Sequence, residues 1–332
     1  MSKDASSQIQ LIVVVGPTAS GKSDLAVKIA QRLHGEIISA DSMQLYKGMD
    51  IGTAKVTPAE MGGIPHHLID IKEPNESFSV AEFQRLARKT IEDILRRKKI
   101  PVLVGGTGLY LNSVIDPYDF SGPEEEDGGA IREDYMQRIR SEGKEKLYQE
   151  LQQIDPVSAQ KLHPNDEKRI IRALEYYRLN GKPISENLQA FRKKESIYPC
   201  YLIGLNMERS QLYRRIEERV DGMMAGGLLE EVRCLLDQGC LPESQAMQGI
   251  GYRQLIQYFQ GCISLEKAID SIKQESRRYA KRQLTWFRRD SRIHWYDSIA
   301  IRETKEFEQM FEALVPHIDR HLLEGGGLLG HE

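Results

Sequence analysis

Gly16-Pro17-Thr18-Ala19-Ser20-Gly21-Lys22-Ser23 follows the apolar run Leu11-Ile12-Val13-Val14-Val15 and precedes residues 24–33, where Leu25, Ile29 and Leu33 recur at helical spacing. Strand, glycine turn and helix start therefore come in the order that the pattern G-x-x-x-x-G-K-[ST] needs to be a phosphate-binding loop. Gly16 and Gly21 allow backbone angles that let successive N–H groups point at an anion beside the positive end of the helix. Lys22 reaches terminal phosphates in such a loop, and the Ser23 hydroxyl is placed to ligate Mg2+.

Downstream, residues 36–41 read as a second strand ending in an acid. In an open parallel sheet, functional groups collect beyond the carboxyl ends of the strands, so Asp41 becomes a candidate base facing the loop after strand one. Residues 67–71 are predicted as a third strand, 80–99 as an amphipathic helix, and 100–104 as a buried strand closed by Gly105-Gly106-Thr107-Gly108. The Thr107 hydroxyl lies where it can face the same crevice. Alternating strands and helices predict an α/β fold, a P-loop doubly wound parallel sheet. No acid stands at the end of 102–104, where many phosphate-loop ATPases hold magnesium, and no guanine-reading N-K-x-D element follows.

The character changes near Asp116. Residues 121–130, with Glu124-Glu125-Glu126-Asp127-Gly128-Gly129, are expected to be a mobile acidic loop. Helices are predicted over 131–141, 144–154 and 165–179, the last capped by Asn165 or Asp166 and stopped at Asn180-Gly181. In that helix Lys168, Arg169 and Arg172 share one side, while Ile170, Ile171, Leu174 and Tyr177 form an apolar stripe. Sheet pattern resumes at 201–205, so the expected organisation is a core of 1–116 and 201–322 with C-terminal helices, a helical insertion at 117–200, and a disordered tail at 323–332. Residues 1–8 are expected to be loose as well. Helices are predicted to dominate to the end. From Lys273 to Arg292 the chain carries eight Lys and Arg against Glu275 and Asp290, interleaved with Tyr279, Trp286 and Phe287. Cations for phosphates and rings for stacking make the composition of an RNA-binding surface, although an amphipathic helix with a solvated basic face has the same composition.

A chain of 332 residues, 40% hydrophobic and 29% charged, can bury a substantial core. No apolar run approaches a membrane span and no secretory signal opens the sequence, so a cytoplasmic protein without membrane contact is expected. The four cysteines are scattered without zinc spacing and read as reduced thiols. A net charge of −3 gives no global nucleic-acid signature, so any such binding must be local.

Together these residues resemble the bacterial tRNA dimethylallyltransferases, also called tRNA isopentenyltransferases. The likeness is carried by Gly16–Ser23, by Asp41-Ser42-Met43-Gln44 continuing through Tyr46-Lys47-Gly48-Met49-Asp50-Ile51-Gly52-Thr53-Ala54-Lys55, and by Pro65-His66-His67-Leu68-Ile69-Asp70. It continues in Gly105-Gly106-Thr107-Gly108-Leu109-Tyr110, Asn165-Asp166 with Arg169 and Arg172-Ala173-Leu174-Glu175, Gly251-Tyr252-Arg253, and Ala280-Lys281-Arg282-Gln283-Leu284-Thr285-Trp286-Phe287-Arg288. The resemblance implies transfer of a dimethylallyl group from dimethylallyl diphosphate to the exocyclic amine of the adenine 3′ of a tRNA anticodon. In that reading Gly16, Pro17, Thr18, Ala19, Ser20, Gly21, Lys22 and Ser23 grip the diphosphate, with Arg219 matching a further diphosphate contact. Asp41 takes the amine proton and Thr107 helps orient the amine. The RNA side falls to Asp41, Ser42, Met43, Gln44, Thr107, Lys168, Arg169, Ile170, Ile171, Arg172, Gln248, Gly249, Gly251, Tyr252, Arg253, Lys281, Arg282, Trp286 and Arg288. The partner is then the anticodon stem-loop, the cofactor Mg2+, and the protein a monomer. Two rivals stay open: a phosphate-loop small-molecule or nucleotide kinase with Asp41 receiving an acceptor hydroxyl, and a non-catalytic RNA-binding protein.

Overall fold

The computed structural model describes residues 8–118, 120, 125–186 and 196–325. Its centre is strand β1 (Leu11–Val15), whose five residues are all buried. A strand apolar at every position suits a parallel sheet covered on both faces. Leu11, Val13 and Val15 point into one apolar cluster and Ile12 and Val14 into the other. Each such side chain contributes about 1.5–3 kcal/mol of burial.

Six parallel strands form the sheet, in the order β3-β2-β4-β1-β5-β6, with β2 (Glu36–Ser39), β3 (His66–His67), β4 (Pro101–Gly105), β5 (Cys200–Asn206) and β6 (Ile293–Asp297). Helix α1 (Lys22–Arg32) covers the face that Ile12 and Val14 enter. Opposite lie α2 (Val80–Arg96), with Phe83, Ala87 and Ile91, and α3 (Gly108–Ile115), with Leu111 and Val114. The Ser79 hydroxyl caps α2 by accepting the Glu82 N–H at 3.1 Å.

The chain divides into two compact units, one comprising residues 1–115 and 196–332, the other 116–195. The smaller holds α4 (Glu125–Glu142), α5 (Lys144–Ile154), α6 (Pro156–Ala159) and α7 (Glu167–Asn180), packed around Leu147, Leu151, Ile170, Ile171 and Leu174. Asp166 caps α7 and Gly181, at φ 66°, ends it, as its sequence signals. After β5 come α8 (Arg209–Ala225), α9 (Leu228–Asp237), α10 (Tyr252–Phe259) and α11 (Leu265–Phe287), then α12 (Thr304–Leu314) and α13 (Arg320–Gly325).

Three expectations are corrected and a fourth is refined. The third strand is only His66–His67, because Leu68 and Asp70 adopt φ 61° and 55°, incompatible with an extended strand. The acidic stretch expected to be a loop is helical from Glu125 onward; residues 121–124 lie outside the described residues. Helices dominate to the end of the described residues, as expected, but a strand that the sequence pattern did not mark interrupts them: α11 stops at Phe287 and β6 follows it beside β5. The tail expected from 323 is helical to Gly325 with Leu323 buried, and 326–332 lie outside the described residues.

Candidate active site

The loop after β1 ends at Gly21, which caps α1 in the left-handed region at φ 85°. A side chain there is strained and its Cβ would also fall 2.2 Å from the Arg302 guanidinium. The first turn of α1 leaves N–H groups without intrahelical partners. Thr18, Ala19, Gly21, Lys22 and Ser23 line a cavity of about 760 Å³. Gly16, Pro17 and Ser20, the other members of the motif, are buried beneath it. Lys22 keeps partial solvent contact through the cavity, yet the protein around it pushes its ammonium down to about 8; Asp41 opposes that shift and Arg219 adds to it. Arg219, from α8, reaches the same cavity; burial lowers its pKa while Asp41 and Asp24 raise it. Arg215, one turn earlier, lines it too.

Asp41 follows β2 by two residues, where Ala40 N–H still bonds the Val104 carbonyl at 2.7 Å. One carboxylate oxygen accepts the Met43 N–H at 2.9 Å, which aims the group across the strand ends. The Thr107 hydroxyl accepts the Ser42 N–H and meets the Ser42 hydroxyl, each at 3.4 Å. Tyr279, from α11, brings its hydroxyl against Thr107 and Gln283, and burial followed by the Asp41 charge raises its pKa.

A second cavity, about 320 Å³, is lined by Ser42, Met43, Gln248, Gly249, Gly251, Tyr252, Arg253 and Arg282. Both cavities share Thr18, Asp41, Thr53, Arg219, Met223 and Tyr279. The site is therefore two chambers with a common wall, one at the phosphate loop, lined by Lys22, Lys55, Arg215 and Arg219 together with Asp24, Asp41, Asp50 and Glu60, and a mixed one walled by α8, α10 and α11. Asp41 stands at the junction.

The other expected RNA-side residues are distributed unevenly. Gln44 faces the larger cavity and spends its amide on the Thr53 and Ala54 carbonyls at 3.3 and 3.2 Å. Tyr252, although it borders the second cavity, is only 1% exposed and donates its hydroxyl to Glu231 at 2.6 Å. Lys281 and Arg288 are exposed outside both cavities. Trp286, 40% exposed, donates its indole N–H to Asn112 at 2.8 Å. In the smaller unit Lys168, Arg169 and Arg172 are exposed, whereas Ile170 and Ile171, at 1% and 3%, are core side chains.

Two residues that sequence reasoning did not single out hold the site together. Glu231 accepts the N–H groups of Asp50, Ile51 and Gly52 at 2.9, 2.7 and 3.1 Å, fixing the loop that walls the larger cavity. Gln283, buried in α11, accepts the Thr18 N–H at 2.9 Å and donates to the Gly106 carbonyl at 3.0 Å. Three successive N–H groups at a glycine turn signal that some acceptor is needed; nothing local signals which.

The IPP transferase family model matches residues 44–290. The chain belongs to that family. A tRNA dimethylallyltransferase of Geobacillus thermodenitrificans is 55% identical over 289 residues, 87% of this chain and 90% of its own. One from Anoxybacillus flavithermus is 50% identical over 310 residues, 93% of this chain and 96% of its own. Among solved structures, the Bacillus halodurans tRNA isopentenylpyrophosphate transferase is 44% identical with a TM-score of 0.69, covering 97% of this chain and 99% of that one. A eukaryotic dimethylallyltransferase acting on tRNA aligns with a TM-score of 0.76 at 32% identity, covering 87% and 74%. This IPP transferase is thus an enzyme of the transferase class, and the kinase reading is not favoured. Its phosphate loop and Asp41 lie just before the matched stretch.

Proposed function

We propose that the enzyme transfers the dimethylallyl group of dimethylallyl diphosphate to the exocyclic amine of the adenine 3′-adjacent to the tRNA anticodon, releasing diphosphate. The observation that carries this reading is the pair of chambers meeting at Asp41, one bringing Lys22, Arg215 and Arg219 to the phosphate loop and one large enough for a flipped base. Family membership and the names of the relatives support it.

The donor diphosphate lies on the first-turn amides of α1, with Lys22 and Arg219 on its oxygens. As the carbon–oxygen bond breaks, its electron pair passes to the leaving diphosphate, and those cations meet the charge where it develops. The amine lone pair forms the new carbon–nitrogen bond, and its proton passes to Asp41. Thr107, held by Ser42 and Tyr279, orients the amine. Because the amine is a poor nucleophile, positioning supplies much of the rate, and bound substrates must exclude water from the electron-poor allylic carbon.

The donor set near the loop fits Mg2+. Among the described residues no three His, Cys, Asp or Glu side chains form a metal cluster, so the ion would rest on the Ser23 hydroxyl, the diphosphate oxygens and water, its common manner of binding. When bound, it supplies further neutralisation of the leaving group. The proposed acceptor is the anticodon stem-loop, for which α11 offers an exposed basic face; the enzyme acts as a monomer in the cytoplasm. No described helix is long and apolar enough to cross a membrane.

The test is incubation with labelled dimethylallyl diphosphate, magnesium and unmodified tRNA. Label is expected in RNA at that adenine. ATP consumption with a small acceptor and no labelled RNA would sink the proposal.

A further inference from the structure

Helix α11 has two faces with different duties. Lys281 and Arg282 are exposed on one, and Arg282 lies over the ring of Tyr279 at 5.7 Å. On the other, Tyr279 and Gln283 stand one turn apart and reach two strand-end loops directly and a third through Thr107. Gln283 takes the Thr18 N–H after β1 and gives its own N–H to Gly106 after β4. Tyr279 meets Thr107, which meets Ser42 after β2. A carboxylate could make only the first of Gln283's two bonds and an apolar side chain neither, so an amide is the group this position requires. At Gly106 a Cβ would lie 2.2 Å from the Gln283 amide nitrogen, so the glycine there is part of the same joint.

We propose that Gln283 is a positioning residue that couples the RNA-facing side of α11 to the phosphate loop, so that acceptor RNA and diphosphate bind cooperatively. The idea rests on the function proposed above. Thr18 borders both chambers, and its amide is the point where the loop is tied to the helix. RNA settling on Lys281 and Arg282 fixes α11; through Gln283 it fixes the curvature of the loop, and the ordering is already complete when diphosphate arrives. Linkage makes the effect reciprocal, with diphosphate tightening RNA by the same factor.

The experiment measures the affinity of the full-length protein for inorganic diphosphate with magnesium, with and without saturating unmodified anticodon stem-loop RNA. In the wild type RNA is expected to tighten diphosphate by about tenfold, within the usual range of coupling. Gln283→Met, similar in shape but without the amide, should bring that factor close to one while RNA binding alone persists. Gly106→Ala dislodges the same amide from the opposite side and should do likewise, which covers the case of a Gln283→Met protein that does not fold. A merely structural role would lower melting temperature without abolishing the coupling. Coupling preserved in either folded variant overturns the inference. Wild-type transfer to tRNA with no coupling overturns it too and leaves the function standing; absence of any transfer removes both.

Discussion

The two ends of β2 carry opposite solutions to the problem of a charge in a folded protein. At its start Glu36 has a carboxylate 2% exposed and saturated: Arg97 holds both oxygens, one of them at 2.8 Å, Lys99 lies at 2.9 Å and His67 at 2.7 Å. Burial pushes that carboxyl up, but those hydrogen bonds outweigh it and bring it down to about 2. Just past the other end, Asp41 has one backbone N–H, and the cations near it, Lys22 and Arg219, act through space without an ion pair. The saturated cluster is finished and holds strands together. The unsaturated one is incomplete until a ligand brings its own charge, the arrangement expected where groups are poised for chemistry.

This contrast can be broken by neutralising one member at each end. Lys22→Met should reduce kcat/KM about 100- to 1000-fold, the usual loss when one donor to a developing anion is removed. It should nonetheless stabilise the fold by about 0.5–1 kcal/mol, read as a rise in melting temperature, because a cation held in an unfavourable place has gone. Asp41→Asn should cut turnover by a factor of about 100 or more with melting unchanged, measured by label in tRNA. At the other end Glu36→Gln should destabilise by about 1–3 kcal/mol while specific activity of the folded fraction holds. Activity lost at Glu36, or stability lost at Lys22, would erase the distinction.

Acid and alkali sharpen it further, with smaller effects. Glu36 has a folded pKa near 2 against an ordinary 4.5, so its stabilisation is complete above 4.5 and disappears as pH falls from there toward 2; Glu36→Gln should flatten the acid limb of denaturant melts. Lys22 is lowered from 10.5 to about 8, so the folded state binds fewer protons between those values and gains stability as pH rises through them. Diphosphate affinity should meanwhile weaken as pH rises through about 8, and Lys22→Arg should remove that break.

The sequence made one end of β2 legible and hid the other. The phosphate loop announces itself because its chemistry is local: a strand, a glycine at φ 85° and a helix start within a dozen residues. Asp41 was visible through the rule that strands deliver function at their carboxyl ends. Glu36 was not, since Arg97 and Lys99 stand more than sixty residues away. Gln283 and Glu231 were hidden for the same reason, their partners being backbone groups of distant loops. The two-residue β3 escaped because propensity does not reveal that Leu68 and Asp70 turn left-handed, the N–H groups of Asp70, Ile71 and Lys72 bonding the Gln44 and Leu45 carbonyls instead. β6 was obscured by Arg288–Arg292 before it and by the mixed side chains His294, Trp295 and Tyr296, which suit an edge strand rather than a buried one.

Residues 116–195 depart from the core after Ile115 and rejoin it at Ser196, and the Ile197 N–H bonds the Ile115 carbonyl at 2.8 Å. Exit and return thus share one doorway. A graft of any other length could be spliced at that doorway with little change in the entropy of closing the gap, since that cost grows only slowly with loop length. The sheet and its two chambers are consequently free to keep one chemistry while evolution trades the length of the helical insertion.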